Sequence, residues 1–172
     1  MEMLEEAVQA LKEGREPSLD TMLSQQTELE LRLPALLPDA YIPDVSLRLS
    51  FYKRLASARD NAELDEIQVE LIDRFGLLPD AAKNLVALTQ CKQKAQALGI
   101  KRIEMHNKGG SVEFAERTKV QPGYIIKLIQ TQSRIYKLEG GNKLKFTMEL
   151  PGASERLALL KTMLADFKTN SQ

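Results

Sequence analysis

A chain of 172 residues is long enough for one well-buried core with an appendage, and short for two full-sized domains. Its 43% hydrophobic and 28% charged residues are those of a soluble globular protein, and 24 basic residues balance 24 acidic ones at a pI near 6.6, which argues against a dedicated nucleic-acid binder, for which a pI above about 9 is expected. The single cysteine, Cys91, excludes an intrachain disulfide and fits a reducing cytoplasm; no apolar run reaches the length of a membrane span, and the acidic MEMLEEAV start is unlike a signal peptide.

In chain order, MEMLEEAVQALKEG reads as a helix with Leu4, Ala7, Val8 and Leu11 on one face and Gly14 as its stop. REPSLDTMLSQQT lacks sustained periodicity and reads as a linker, so residues 1–25 are expected to be the tail of a preceding domain and 26–172 the domain proper. ELELRLP, Glu28 to Pro34, alternates as a half-buried strand does, with Leu29, Leu31 and Leu33 inward. After a proline-studded connection, Asp44 caps a helix running to about Arg59, with Val45, Leu49, Tyr52 and Leu55/Ala56 along one side and Leu47 and Phe51 beside them. Asp60 to Glu63 is a capping-box-like start for a second helix, which Gly76 stops in the αL conformation. Pro79 opens a third helix through Leu85, Leu88, Ala95 and Leu98 to Gly99.

Beyond Gly99 the period changes. IKRIEMHN and SVEFAE form a hairpin around NKGG, whose glycines are expected to supply positive φ in the turn. VQPGYIIKLIQTQ is a short helix, RIYKLEGGNKLKFTMEL a second hairpin around Gly140-Gly141, and Ser154 to about Lys168 a terminal amphipathic helix through Leu157, Leu160 and Leu164. The expected fold is therefore α+β: helices first, then an antiparallel sheet of hairpins with a short connecting helix and a C-terminal helix.

The second helix, ELDEIQVELIDRFG, carries an unusual charge pattern. Winding it at 100° per residue gathers Leu64, Ile67, Leu71 and Phe75 into a core stripe, and Glu63, Glu66, Glu70 and Asp73 into a second arc of roughly 80°. Like charges at i,i+3 and i,i+4 cost about 0.2–0.5 kcal/mol per pair, no lysine lies on this helix, and Asp73 opposes the helix dipole in the last turn, where Arg74 offsets part of the penalty. Either the arc solvates a surface helix, compensated by Lys53, Arg54 or Arg59 of the preceding helix, or it is a docking face for a basic surface elsewhere.

Charge is also uneven along the chain. Residues 1–30 hold eight acids and two bases, and residues 101–145 hold ten Lys or Arg and four Glu. Lys101, Arg102, Lys108, Arg117, Lys119, Lys143 and Lys145 are thus candidate DNA contacts, although interspersed acids and few aromatics also describe a solvated sheet face. No GxxxxGK[ST] loop occurs, the two Gly-Gly pairs lie inside hairpins, and DRFG (Asp73 to Gly76) lacks the setting of a kinase DFG. There is no GxSxG or HExxH, and Cys91 with His106 as the one histidine does not make a metal or nucleophile set. Neither an enzyme nor a cofactor site is expected in this chain.

The stretches MEMLEEAVQALKEG, ELRLPALLPDAYIPD, RLSFYKRLASA and VELIDRFGLLP, in this order and spacing, closely resemble the carboxy-terminal region of bacterial transcription-repair coupling factors. The resemblance runs over nearly the whole chain, most closely from Met1 to Pro79. It implies a parent that is an ATP-driven, Mg-dependent double-stranded DNA translocase, which displaces stalled RNA polymerase and recruits the excision-repair protein UvrA. It implies that Met1 to about Gly14 is the last helix of the translocase module, and that the remainder is a non-catalytic regulatory domain packed on an N-terminal UvrB-like module, whose UvrA-binding surface it hides. By the matching ELIDRFG motif, Glu70 and Asp73 are the implied docking residues; Glu66 and Glu63 join them by geometry, and Phe75 and Gly76 are structural.

Overall fold

The computed structural model describes residues 27–172; the expected helix at Met1–Gly14 and the linker after it lie outside the described residues. Described in order are β1 (Glu28–Glu30), α1 (Val45–Ser57), α2 (Asn61–Phe75), α3 (Asp80–Ala97), β2 (Ile100–His106), β3 (Gly109–Phe114), α4 (Pro122–Thr131), β4 (Tyr136–Glu139), β5 (Lys143–Thr147) and α5 (Ala153–Thr169). The α+β expectation holds. The sheet order is β1-β2-β3-β5-β4, and the four strands from β2 onward pair antiparallel, with Arg102 opposite Glu113 and Val112 opposite Leu144. One strand departs from the antiparallel expectation: β1 joins β2 in parallel, Leu29 opposite Ile103, because three helices intervene and return the chain in the same direction.

β1 is also shorter than its alternating sequence predicts. Arg32 takes a left-handed φ of 55°, and the Leu31 and Arg32 carbonyls accept hydrogen bonds from the Arg156 guanidinium at 2.7 and 3.1 Å instead of extending a ladder. Arg156 donates a third bond to the Leu150 carbonyl at 2.7 Å and is 8% exposed, so a helix residue that reads as surface charge is a buried tie between the chain ends of the sheet.

Of the glycines of the first hairpin, Gly109 supplies the expected positive φ, at 139°, but it does so in the strand beside the turn, and both glycines have a second job. The turn itself is Asn107-Lys108, and Gly109 and Gly110 lie in β3, where a Cβ would collide with the carbonyl oxygens of Phe146 and Glu104 respectively. The second hairpin follows expectation, with Gly140 and Gly141 at φ 65° and 82°.

Two apolar cores result. The larger lies between the sheet and α3, α4 and α5, built on Ile103, Met105, Val112, Leu144, Leu160 and Phe167. The smaller joins α1, α2 and the first half of α3 around Phe51, Leu55, Leu64, Leu71 and Ala82. Cys91 is packed in the larger core, where burial pushes its thiol pKa up. On α1 the predicted core side needs correction: Val45 and Leu49 are 58% and 55% exposed, and the helix buries Phe51 and Leu55 with Leu47 beside them. Both stripes are apolar at helical spacing, and the tertiary partner decides which is covered.

Candidate docking face on the second helix

Local chemistry fixes the position of α2. The Asp60 carboxylate accepts from the Glu63 amide at 2.9 Å, and the Glu63 carboxylate accepts from the Arg59 amide at 2.7 Å, one residue earlier than in a reciprocal capping box. At the other end Gly76 has φ 93° and ψ −171°, a positive-φ extended conformation rather than the expected αL, and the Tyr41 hydroxyl is shared between the carbonyls of Gly76 at 2.7 Å and Leu71 at 3.1 Å. Leu64, Ile67 and Leu71 are buried, and Phe75 packs against Tyr41 and Phe51 at centroid distances of 5.7 and 5.9 Å.

The four carboxylates do not form one array. Glu70 leans toward α1, where the Arg54 guanidinium donates two parallel bonds at 2.9 Å; Arg74 adds a third at 3.2 Å. Both guanidiniums also rest on aromatic faces, Arg54 at 5.0 Å from the Phe51 centroid and Arg74 at 5.3 Å from that of Phe75. The Arg54 hydrogen bond, with Arg74 in support, holds the Glu70 pKa below the ordinary glutamate value. Glu63 pairs with Arg59 at 3.0 Å. Compensation by Arg54 and Arg59 therefore applies to these two acids, while Lys53 takes part in no ion pair among the described residues.

Glu66 and Asp73 stand apart. Both are exposed, and among the described residues no ion pair engages either. Val69, 57% exposed, lies between them on the helix surface, Ile72 is 40% exposed on their flank, and Leu77 just past the helix is 85% exposed. Sequence reasoning missed these three apolar residues. The signal was present: Val69 and Ile72 fall outside the Leu64–Leu71 stripe when the helix is wound.

The basic residues of the hairpins are arranged differently. Arg102 meets Glu28, Glu30 and Glu104; Lys101 meets Glu113 at 3.7 Å, Lys108 meets Glu149 at 3.1 Å, and Lys145 meets Glu139 at 2.9 Å, where it lowers the glutamate's pKa. Lys143 lies opposite Glu113 and Glu139 in the strand register. The sheet's outer face is thus a lattice of alternating charge rather than a basic surface. Arg117 and Lys119 lie beyond β3 and are exposed. Among the described residues no three His, Cys, Asp or Glu side chains gather as metal ligands, and no described helix is long and apolar enough to cross a membrane.

These features define an α+β module with a mixed acidic and apolar helix face turned outward. The TRCF domain family model matches residues 31–125, and the chain belongs to that family. A transcription-repair-coupling factor of Escherichia coli (strain K12) is 52% identical over 171 residues, 99% of this chain and 15% of that protein. The protein of the same description from Haemophilus influenzae is 50% identical over 164 residues, 95% of this chain and 14% of its own length. The chain therefore spans about 15% of the length of such curated relatives. The fold matches a crystal structure of a C-terminal domain of transcription-repair coupling factor at TM-score 0.67 and 23% identity, covering 87% of this chain and 99% of that one.

Proposed function

We propose that the chain is the non-catalytic, autoinhibitory C-terminal domain of a transcription-repair coupling factor. It docks through the α2 face onto the N-terminal UvrB-like module of its own polypeptide, masks the UvrA-binding surface there and restrains the translocase. ATP and Mg act in the motor of the parent, through which duplex DNA and RNA polymerase are also reached, and the setting is cytoplasmic. The observation that carries this reading is the open face of α2: Glu66 and Asp73, with Val69 beside them, meet no cation within the described residues, whereas Glu63 and Glu70 of the same arc do.

In this reading Asp73 and Glu66 meet cations of the partner directly. Glu70, gripped by Arg54 and Arg74, contributes as the fixed edge of the face, and Glu63 is the outlying member. A contact of this mixed character suits regulated separation, since interdomain contacts within one chain resemble transient ones.

The test is the Glu70→Ala, Asp73→Ala double variant of the full-length protein, assayed for UvrA binding without RNA polymerase. Losing buried charge pairs at the contact raises that binding by roughly tenfold or more. Binding as weak as wild type sinks the proposal.

A further inference from the structure

Among the described residues Leu77 is the most exposed large apolar side chain, at 85%. A single exposed leucine is ordinary on a protein surface, but this one is held in an unusual way. It sits on the short link between α2 and α3, and the backbone on both sides of it is tied down. Before it, the Gly76 amide donates to the Ile72 carbonyl at 2.9 Å, and the Gly76 carbonyl accepts from the Tyr41 hydroxyl at 2.7 Å. The φ of 93° at Gly76, which a side chain there would strain, aims the chain out of the helix. After it, Leu78 is buried in the smaller core, and the Pro79 carbonyl accepts from the Lys83 amide at 2.9 Å to open α3. Leu77 is therefore displayed on a fixed backbone rather than on a loose loop, so little freedom is lost when a partner covers it.

The bond from Gly76 to Ile72 keeps Leu77 beside the last turn of α2, which carries exposed Ile72 and Asp73, with Val69 and Glu66 one and two turns earlier. Arg74 of the same turn is already engaged, on Glu70 at 3.2 Å and over the Phe75 ring at 5.3 Å. The two acids with no ion pair among the described residues thus flank an apolar group of Val69, Ile72 and Leu77. Exposed carboxylates alone give a weak contact that salt screens. An apolar centre with charge at its margin is the composition of a specific interface.

We propose that Leu77 is the apolar anchor of the α2 face: it enters an apolar pocket of the partner surface whose rim carries Lys or Arg side chains for Asp73 and Glu66, with Val69 and Ile72 closing the seam. This inference rests on the docking role proposed above and adds what the partner must present. A cationic surface without a pocket leaves Leu77 in water, and a pocket without cations leaves the two acids covered and unpaired, so only the combination is accepted. The acids guide the approach and Leu77 holds the contact.

The test compares Leu77→Ser and Leu77→Met in the full-length protein, assayed for UvrA binding without RNA polymerase beside the Glu70→Ala, Asp73→Ala variant. Leu77→Ser raises that binding roughly tenfold, the loss of one buried leucine, whereas Leu77→Met, which still fills a pocket, stays within about twofold of wild type. Because the side chain is exposed in the domain itself, Leu77→Ser moves the thermal midpoint of the 172-residue chain by no more than about 2 °C. A Leu77→Ser protein that masks as well as wild type overturns the inference, as does a Leu77→Met protein as open as Leu77→Ser, or a midpoint that falls as far as for a buried leucine. If the double acid variant opens in the same assay while Leu77→Ser does not, only the anchor is overturned; if neither opens, the docking reading falls and the anchor with it.

Discussion

The outer face of the sheet and the outer face of α2 carry similar densities of charge and use them in opposite ways. On the sheet, Arg102 alone meets three carboxylates and Lys145 meets Glu139 across the strands, so most of the charge there, Lys137 and Lys143 excepted, is paired within the surface. On α2, Glu70 and Glu63 are closed by arginines, and Glu66 and Asp73 are left open beside exposed Val69 and Ile72. A closed lattice needs only water. An open pair of carboxylates with apolar neighbours suits a protein surface of complementary charge.

The strongest way to break the comparison is from beneath. Leu71 is fully buried under the open face, and Leu71→Ala costs about 2–5 kcal/mol in denaturant unfolding, whereas Glu66→Ala or Asp73→Ala shifts stability by no more than about 0.5 kcal/mol. Comparable losses at Asp73 and Leu71 would show that the open acids hold the fold instead of serving a partner.

Arg102→Ala comes next. It leaves Glu28, Glu30 and Glu104 facing one another, lowering the thermal midpoint in low salt, and added salt recovers part of the loss by screening. A midpoint that does not respond to the substitution would mean the sheet face is not closed by pairing.

The smallest effect is a pH signature. Glu70 has its pKa depressed in the folded state, so its contribution is complete above the ordinary glutamate value of 4.5 and is lost as pH falls through the lower folded value. Glu70→Gln therefore flattens the acid limb of the stability curve below that pH and leaves its slope at neutral pH unchanged.

Much of this was legible in the sequence because it is local. Asp44 and Asp60 cap their helices as read, accepting from Leu47 and Glu63, and both hairpins fall where the period changes. What could not be read is set by distant neighbours. The parallel entry of β1, the choice of Phe51 over Leu49 as the buried side of α1, and the Leu31 and Arg32 carbonyls reached by Arg156 across more than a hundred residues have no local signature. The acidic arc was visible as composition, but its division into paired and open halves depends on Arg54 and Arg59 of another helix and the loop after it.

The helix Asp80–Ala97 seats its first turns in the smaller core and its later turns in the larger one. A single stiff rod is thereby the axle of both halves. Force applied to the acidic face by a partner has a continuous solid path to the sheet, and the two halves are bound to melt together rather than in sequence.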